Sequence, residues 1–168
     1  MSNYFWVWAQ FDKDSTCILE GMKNKVDSVL GGPHFEPHLT LCGPFQIYNK
    51  EVSLQVNNVS KNFRSFNVCS DGLHTKKETY EALFIKIKKD KTLIGLKKDL
   101  EKRLLLIPRA FKPHISLYYG SEKDNKKDLA MNTIDRLPIK LTINKISVVD
   151  VDEKINSWKV LNTYQLLT

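Results

Sequence analysis

The sequence predicts a single globular domain in which strands and helices alternate and one short motif occurs twice. Segments with strand-type composition and segments with helical periodicity alternate along the chain. The chain has 168 residues, of which 42% are hydrophobic, so it is long enough to bury a core. A motif of Pro-His, an apolar residue, a hydroxyl residue and leucine occurs twice, with its histidines 76 residues apart. We therefore expect residues 1–168 to form one compact globular unit, in which an ancient duplication is a hypothesis.

The first half is predicted to run strand, helix, strand. Residues 4–11 are aromatic and β-branched, as strands prefer. The sequence "DKDST" then supplies capping residues for a helix that Gly31 and Gly32 end. The helix has apolar residues at helical spacing: Ile18, Leu19, Met22, Val26, Val29 and Leu30. The stretch "HLTLCGPF" at 38–45 predicts the second strand.

The second half repeats this order. A helix is predicted to begin near Asp90 or Thr92 and to end before Pro108, with Leu93, Leu96, Leu100 and Leu104 on one stripe. The stretch "HISLYY" predicts a strand, and a short polar helix is expected at about 122–132. Further strands are expected at about 52–58, 63–70, 79–88, 137–150 and 157–166.

The net charge of +7 is concentrated in one segment. Between Lys86 and Lys112 there are ten Lys or Arg residues and three acids, a local excess equal to the whole net charge. This segment is either the solvated face of a lysine-rich helix or a positive field that attracts phosphate-bearing substrates.

The N-terminal segment and the cysteines predict an intracellular protein. The start "MSNYFWVWAQF" has no positively charged leader, and its apolar run is too short to span a bilayer. The cysteines Cys17, Cys42 and Cys69 are odd in number and form no CxxC pair, which favours reduced thiols. We expect a cytoplasmic monomer that does not associate with membranes.

The repeated motif places a histidine and a hydroxyl on one face of each strand. Side chains alternate along a strand, so His38 and Thr40 share a face opposite Leu39 and Leu41. The same alternation groups His114 with Ser116, opposite Ile115 and Leu117. Each strand therefore has one apolar face for a core and one polar face for another purpose.

Two such faces across one cleft suit phosphodiester cleavage. One imidazole can activate water while the other protonates the departing oxygen. The hydroxyls of Thr40 and Ser116 can donate hydrogen bonds to non-bridging phosphoryl oxygens. This chemistry needs no metal or other cofactor, and the sequence alone does not say which histidine is the base.

Other interpretations of the histidines are weaker. His34 and His74 lack the motif's surroundings, so we expect them to lie in loops. The spacing of His34, His38 and Cys42 is compatible with a zinc site on a helix. Pro37 and the alternating leucines argue against that helix, so no metal site is predicted.

At these residues the sequence resembles the two-histidine (2H) phosphoesterases, and among them the cyclic phosphodiesterases. That family is marked by two His-x-(Thr/Ser) motifs, here His38-Leu39-Thr40 and His114-Ile115-Ser116. The resemblance extends over most of the chain. It includes the segments "YFWVWAQF", "GGPHFEPHLTLCGPF", "TYEALFIKI", "FKPHISLYYG" and "VVDVDEKINSWKV", in the family's order.

The resemblance implies that residues 1–168 form a single bilobal α+β domain. Its two pseudo-symmetric lobes of antiparallel sheet, with outer helices, would surround a central cleft. It also implies metal-independent hydrolysis of a 2′,3′-cyclic phosphate on a nucleotide or RNA end, or of ADP-ribose 1″,2″-cyclic phosphate. His38 and His114 would be acid and base, and Thr40 and Ser116 would bind phosphate. The substrate would be a nucleotide or short RNA that carries a cyclic phosphate.

The sequence leaves alternatives open for the substrate-binding residues. The family position predicts Tyr119 at the site, whereas strand alternation predicts Tyr118. Trp6, Trp8 and Phe45 could stack on a base or could belong to the core. Two alternatives to the leading function remain: the same chemistry on a cyclic or 2′–5′ oligonucleotide messenger, and a non-catalytic RNA-binding module.

Overall fold

The structure, a computed structural model, describes residues 4–152 and 154–168. It contains eight strands and four α-helices in that part of the chain. In chain order these are β1 (Tyr4–Phe11), α1 (Lys13–Leu30), β2 (Leu39–Phe45), α2 (Lys50–Ser60), β3 (Phe66–Val68), β4 (Ser70–Thr75), β5 (Leu83–Ile87), α3 (Lys91–Arg103), β6 (His114–Tyr118), α4 (Asp124–Met131), β7 (Leu141–Val151) and β8 (Lys159–Gln165).

Two strand-helix-strand units, β1-α1-β2 and β5-α3-β6, carry the repeated motif. Both helices begin at an aspartate whose carboxylate accepts a backbone hydrogen bond, from Ser15 to Asp12 at 2.8 Å and from Leu93 to Asp90 at 2.7 Å. Such caps satisfy donors that the first helical turn leaves free. Helix α1 ends at Gly31, whose φ of 66° is in the left-handed region that favours glycine.

The eight strands form one antiparallel sheet. Its order is β3-β7-β1-β2-β6-β5-β4, and β8 pairs with the edge of β7 that β3 also uses, opposite β1. The two motif strands meet at the middle of this order, where β2 pairs with β6 through Leu39 opposite Ile115. The sheet therefore has two larger parts joined by a short ladder, which confirms the predicted bilobal α+β architecture.

The helices connect the two parts of the sheet. Helix α1 follows β1 but packs against β6 and α4. Helix α3 follows β5 but packs against β2 and α2. Each unit thus covers the motif strand of the other unit, and the junction is held by core packing as well as by the sheet ladder.

The alternation predicted for the motif strands is confirmed by the packing of their apolar residues in the core. Leu39, Ile115 and Leu117 are 0% exposed and Leu41 is 2% exposed. All four belong to the main hydrophobic core. Burial of these side chains fixes which face of each strand can present its polar residues.

The prediction of a strand at 52–58 is wrong, because this segment lies in α2. Val52, Leu54 and Val56 alternate as in a strand. The helix instead buries Val56 and Val59 and leaves Leu54 half exposed. Asn49 caps it by accepting a hydrogen bond from the Val52 backbone N–H at 3.0 Å. The helical spacing and the cap outweigh a local alternation of three residues.

The neighbouring strand boundaries also differ from the prediction. The strand expected at 63–70 is the short β3, and a separate β4 follows it. His74 therefore lies in a strand and not in a loop. The strand expected at 79–88 is β5, preceded by a 3-10 turn at Thr79–Glu81. The other predicted helices and strands are present as α1, α3, α4, β1, β2, β6, β7 and β8.

The lysine-rich segment is more than a solvated helix face. Lys97 and Glu101 form a buried ion pair on α3, and Lys97 also donates to the Arg109 carbonyl at 3.1 Å. Arg103 pairs with Asp99.

Cys17, Cys42 and Cys69 are free thiols. Among the residues described, no helix is both long and apolar enough to cross a bilayer.

Ile115→Ala should lower the free energy of unfolding by about 2–5 kcal/mol, because it opens a cavity at the junction of the two parts. Urea denaturation measures the change. Ile107→Ala is the matched control, since Ile107 is 85% exposed and its loss should change stability by no more than about 0.5 kcal/mol. Equal effects of the two substitutions would contradict the packing described here.

Candidate active site

The two motif histidines are held by the same hydrogen bond. His38 Nδ1 lies 2.8 Å from the carbonyl oxygen of Glu36, and His114 Nδ1 lies 2.9 Å from that of Lys112. A proline, Pro37 or Pro113, stands between the two partners in each case. Proline fixes its own φ and favours extended backbone in the residue before it, which presents that carbonyl to the ring.

This bond determines the tautomer of each ring. A carbonyl oxygen only accepts hydrogen bonds, so Nδ1 must carry the hydrogen. In the neutral ring Nε2 then has a free lone pair. Both imidazoles therefore have Nε2 as the reactive nitrogen, a base when neutral and an acid when protonated.

His38 lies in an aromatic, buried environment. Its ring stacks on Trp8 with centroids 3.6 Å apart and an interplanar angle of 7°. The Tyr119 hydroxyl lies 3.3 Å from Nε2 and can donate to it. His38 is 5% exposed, and burial lowers its pKa to about 3, with His114 and Lys23 acting in the same direction. The ring is therefore neutral at physiological pH.

His114 is less buried than His38. Its ring meets Phe84 edge to face at 5.2 Å, and its neighbour across the sheet is Lys86. Burial lowers its pKa below the usual 6.5, and the positive charge of Lys76 adds to this effect. The charge of His114 also acts on the pKa of His38, which is consistent with both rings facing one cleft.

The motif hydroxyls lie beside these rings. Ser116 Oγ donates to the Tyr80 carbonyl at 3.3 Å, and its hydroxyl also lowers the pKa of Tyr119. Burial is the larger effect on Tyr119 and raises its pKa to about 12, so this phenol keeps its proton. Thr40 lies opposite Trp8 in the β1–β2 ladder and is half-buried.

A bulge in β6 decides which tyrosine faces the histidines. Phe84 pairs with Ser116, but the preceding Leu83 pairs with Tyr118, so Leu117 is an extra residue in β6. The alternation breaks there, and Tyr118 packs in the core. The strand-alternation prediction of Tyr118 is therefore wrong, and Tyr119 is the tyrosine that contacts His38.

Of the three aromatic candidates, Trp8 contacts a motif histidine and Phe45 does not. Phe45 pairs with Phe5, and their rings lie 5.9 Å apart. Phe5 and Trp8 are on opposite faces of β1, so Phe45 is on the face that packs against the core. Trp6 shares the face of Trp8 and lies close to Gly43.

Three further aromatic residues complete the surroundings of His38, and sequence reasoning missed all of them. The Trp158 ring centroid lies 5.8 Å from Trp8 and 5.6 Å from Tyr119. Its Nε1 donates to the Asp152 carbonyl at 2.9 Å, which anchors it over the cleft. Tyr80 stacks beside Trp158 at 6.3 Å, and Phe35 stacks on Tyr119 at 4.1 Å.

A sequence model of the 2′-5′ RNA ligase superfamily, a group of two-histidine phosphoesterases, matches residues 29–154, which include both motifs and most of the chain. The chain belongs to this superfamily. The superfamily's phosphoesterase character indicates an enzyme that acts on phosphodiesters.

Solved structures share the fold of this phosphoesterase at low sequence identity. Escherichia coli LigT complexed with 3′-AMP is 13% identical, with a TM-score of 0.64 over 100% of both chains. LigT complexed with NADP+ is 13% identical, with a TM-score of 0.67 over 99% of both chains. The protein TT0787 of Thermus thermophilus is 15% identical, with a TM-score of 0.66 over 97% of both chains. No curated protein matches the chain by sequence.

The phosphoesterase has a buried lysine behind the site. Lys23 on α1 is 3% exposed, and its Nζ lies 3.3 Å from the centre of the Phe35 ring. Nζ also donates to the Leu117 carbonyl at 3.4 Å. Burial lowers the pKa of Lys23 to about 8. Its positive charge contributes to the lowered pKa of His38.

The residues of the alternative zinc site do not converge. His34 is exposed in the loop before β2, as predicted, whereas His38 is buried against Trp8 and Tyr119. Cys42 lies in the core, where burial raises the pKa of its thiol to about 12. The part of the chain that the structure describes contains no cluster of three side chains suited to a metal ion.

Proposed function

We propose that this phosphoesterase hydrolyses a 2′,3′-cyclic phosphate, or the 1″,2″-cyclic phosphate of ADP-ribose, to a phosphate monoester. The observation that carries the proposal is the matched orientation of His38 and His114, each with Nδ1 bound to a carbonyl and Nε2 left for chemistry. Two imidazoles that face one cleft can act as general base and general acid. This arrangement suits in-line displacement at phosphorus.

The two imidazoles differ in environment, and this difference suggests their roles. His38 is the more buried ring and is neutral at physiological pH, as a base must be. His114 is only half-buried, so it is the ring that protonates more readily. We assign His38 as the base that removes a proton from water and His114 as the acid that protonates the leaving ribose oxygen.

The hydroxyl groups stabilise the charge on the phosphoryl oxygens. Thr40 and Ser116 follow the two histidines on their strands and would donate hydrogen bonds to the non-bridging oxygens. Tyr119 keeps its proton, since its pKa is raised to about 12, and can orient His38 through Nε2 until substrate arrives. Water attacks phosphorus, the bond to one ribose oxygen breaks, and that oxygen takes the proton from His114. No metal ion is needed for these steps.

A nucleotide or short RNA is the substrate that best fits the surroundings. Tyr80 and Trp158 form an aromatic wall near His38 on which a base could stack, and the buried Trp8 supports the His38 ring by stacking on it. LigT, which shares the fold, has been solved with 3′-AMP. A 3′-nucleotide is one product expected from opening a 2′,3′-cyclic phosphate.

A second candidate is the same chemistry on a 2′–5′ or cyclic oligonucleotide. An open cavity of about 580 Å³ adjoins His114 and would leave room for a second nucleotide. Comparing turnover of mononucleotide and oligonucleotide substrates distinguishes the two candidates. Salt-sensitive RNA binding without any turnover would instead indicate the non-catalytic binding module.

His38→Ala and His114→Ala should each lower kcat for 2′,3′-cyclic AMP by about 10²- to 10⁴-fold, the usual contribution of a positioned acid or base. Turnover is measured by phosphate monoester release with EDTA present. The matched control is His34→Ala, because His34 is exposed in a loop away from the cleft. Near-wild-type activity of either motif variant would contradict the mechanism, and loss of wild-type activity in EDTA would contradict its independence of metal.

The pH profile of kcat/KM should be bell-shaped with its optimum below about pH 6.5, because burial lowers the pKa of both histidines from that ordinary value. Activity rises as the base loses its proton and falls as the acid loses its own. The kcat profile should lie at higher pH, since a bound anionic phosphate stabilises both imidazolium ions. A profile with one limb, or a kcat/KM optimum above about pH 7, would contradict two-imidazole catalysis.

A further inference from the structure

An open cavity of about 580 Å³ lies beside His114. Its walls are β4, β5 and the segment that leads into β6. The ring of Phe84 lies at its base, between His114 at 5.2 Å and the stacked ring of His74 at 5.9 Å. Four lysine side chains surround this base: Lys76, Lys86, Lys89 and Lys112.

Two of the four lysines are neutralised and two are not. Lys76 pairs with Glu81, and Lys86 pairs with Asp71 at 3.1 Å. Lys89 and Lys112 are exposed, and neither forms an ion pair within residues 4–152 and 154–168. The cavity therefore presents two uncompensated positive charges, a suitable environment for a phosphate group.

The surroundings of His38 have a different character. The His38 ring stacks on the buried Trp8, and the rings of Trp158 and Tyr80 lie next to this pair. The site is thus aromatic at one histidine and basic at the other. A substrate with an aromatic group at one end and a second anion at the other matches this polarity.

A nucleotide has this arrangement. In a nucleoside 2′,3′-cyclic phosphate the base leaves the ribose at C1′ and the 5′ carbon leaves it at C4′, on opposite sides of the ring oxygen. If the scissile phosphate lies between the two histidines and the base stacks on the aromatic wall, the 5′ carbon points toward the lysines.

We propose that the cavity beside His114 binds a second, non-scissile phosphate on the 5′ side of the reacting ribose through Lys89 and Lys112. The position of the scissile phosphate in this proposal rests on the proposed function. The preferred substrate class is then a cyclic phosphate on a 5′-phosphorylated nucleotide or at the end of a chain, in preference to a free nucleoside cyclic phosphate.

The test is a binding measurement that does not depend on turnover. Isothermal titration calorimetry compares adenosine 3′,5′-bisphosphate with 3′-AMP, which lacks the second phosphate. Wild type should bind the bisphosphate about 10-fold more tightly. The double variant Lys89→Gln, Lys112→Gln should lower this ratio to about 1, because it removes both uncompensated charges.

The matched control is Lys61→Gln, Lys140→Gln, which removes the same charge from two exposed lysines outside the cavity. It should retain the 10-fold preference. Equal affinities in wild type, no binding of either nucleotide, or an equal loss of preference in the control would each overturn the proposal. Failure of the proposed function is a separate result, absence of turnover, and can occur while the bisphosphate preference persists.

Discussion

The chemistry of the cleft depends on one hydrogen bond that is made twice, from an imidazole Nδ1 to the carbonyl two residues earlier. The bonds are 2.8 Å long at His38 and 2.9 Å at His114. Each spans a proline whose restricted backbone presents the carbonyl. The consequence is that both reactive nitrogens are Nε2. The acid and base roles proposed here require this shared orientation, and the different burial of the two rings then separates the roles.

The fold brings these two rings together through packing more than through the sheet. Strands β2 and β6 share a ladder only at Leu39 and Ile115. Helix α1 packs on the motif strand of the second unit, and α3 packs on that of the first. The separation of the two Nε2 atoms is therefore set by the core beneath the junction. The apolar faces of the motif strands belong to this core, so the motif histidines and hydroxyls lie on the opposite face of the sheet.

Most of the motif geometry could be predicted from sequence, because strand alternation is a local rule that both motif strands obey up to Leu117. The rule fails at Tyr118, because the pairing of Leu83 with Tyr118 makes Leu117 a bulge that one sequence does not reveal. The helix at 50–60 was predicted as a strand because Val52, Leu54 and Val56 alternate with polar residues. Trp158 was not identified because its position over His38 comes from the pairing of β7 with β8, which is a tertiary property.

The central claim is tested most directly by long-range proton–nitrogen NMR of the histidine side chains at about pH 7.5, where an ordinary histidine is neutral. His38 and His114 should both show the Nδ1–H tautomer with an unprotonated Nε2. His34 and His74 are exposed and provide internal references, expected to show the Nε2–H tautomer that dominates in water. An Nε2–H tautomer at either motif histidine would contradict the orientation on which the proposed catalysis depends.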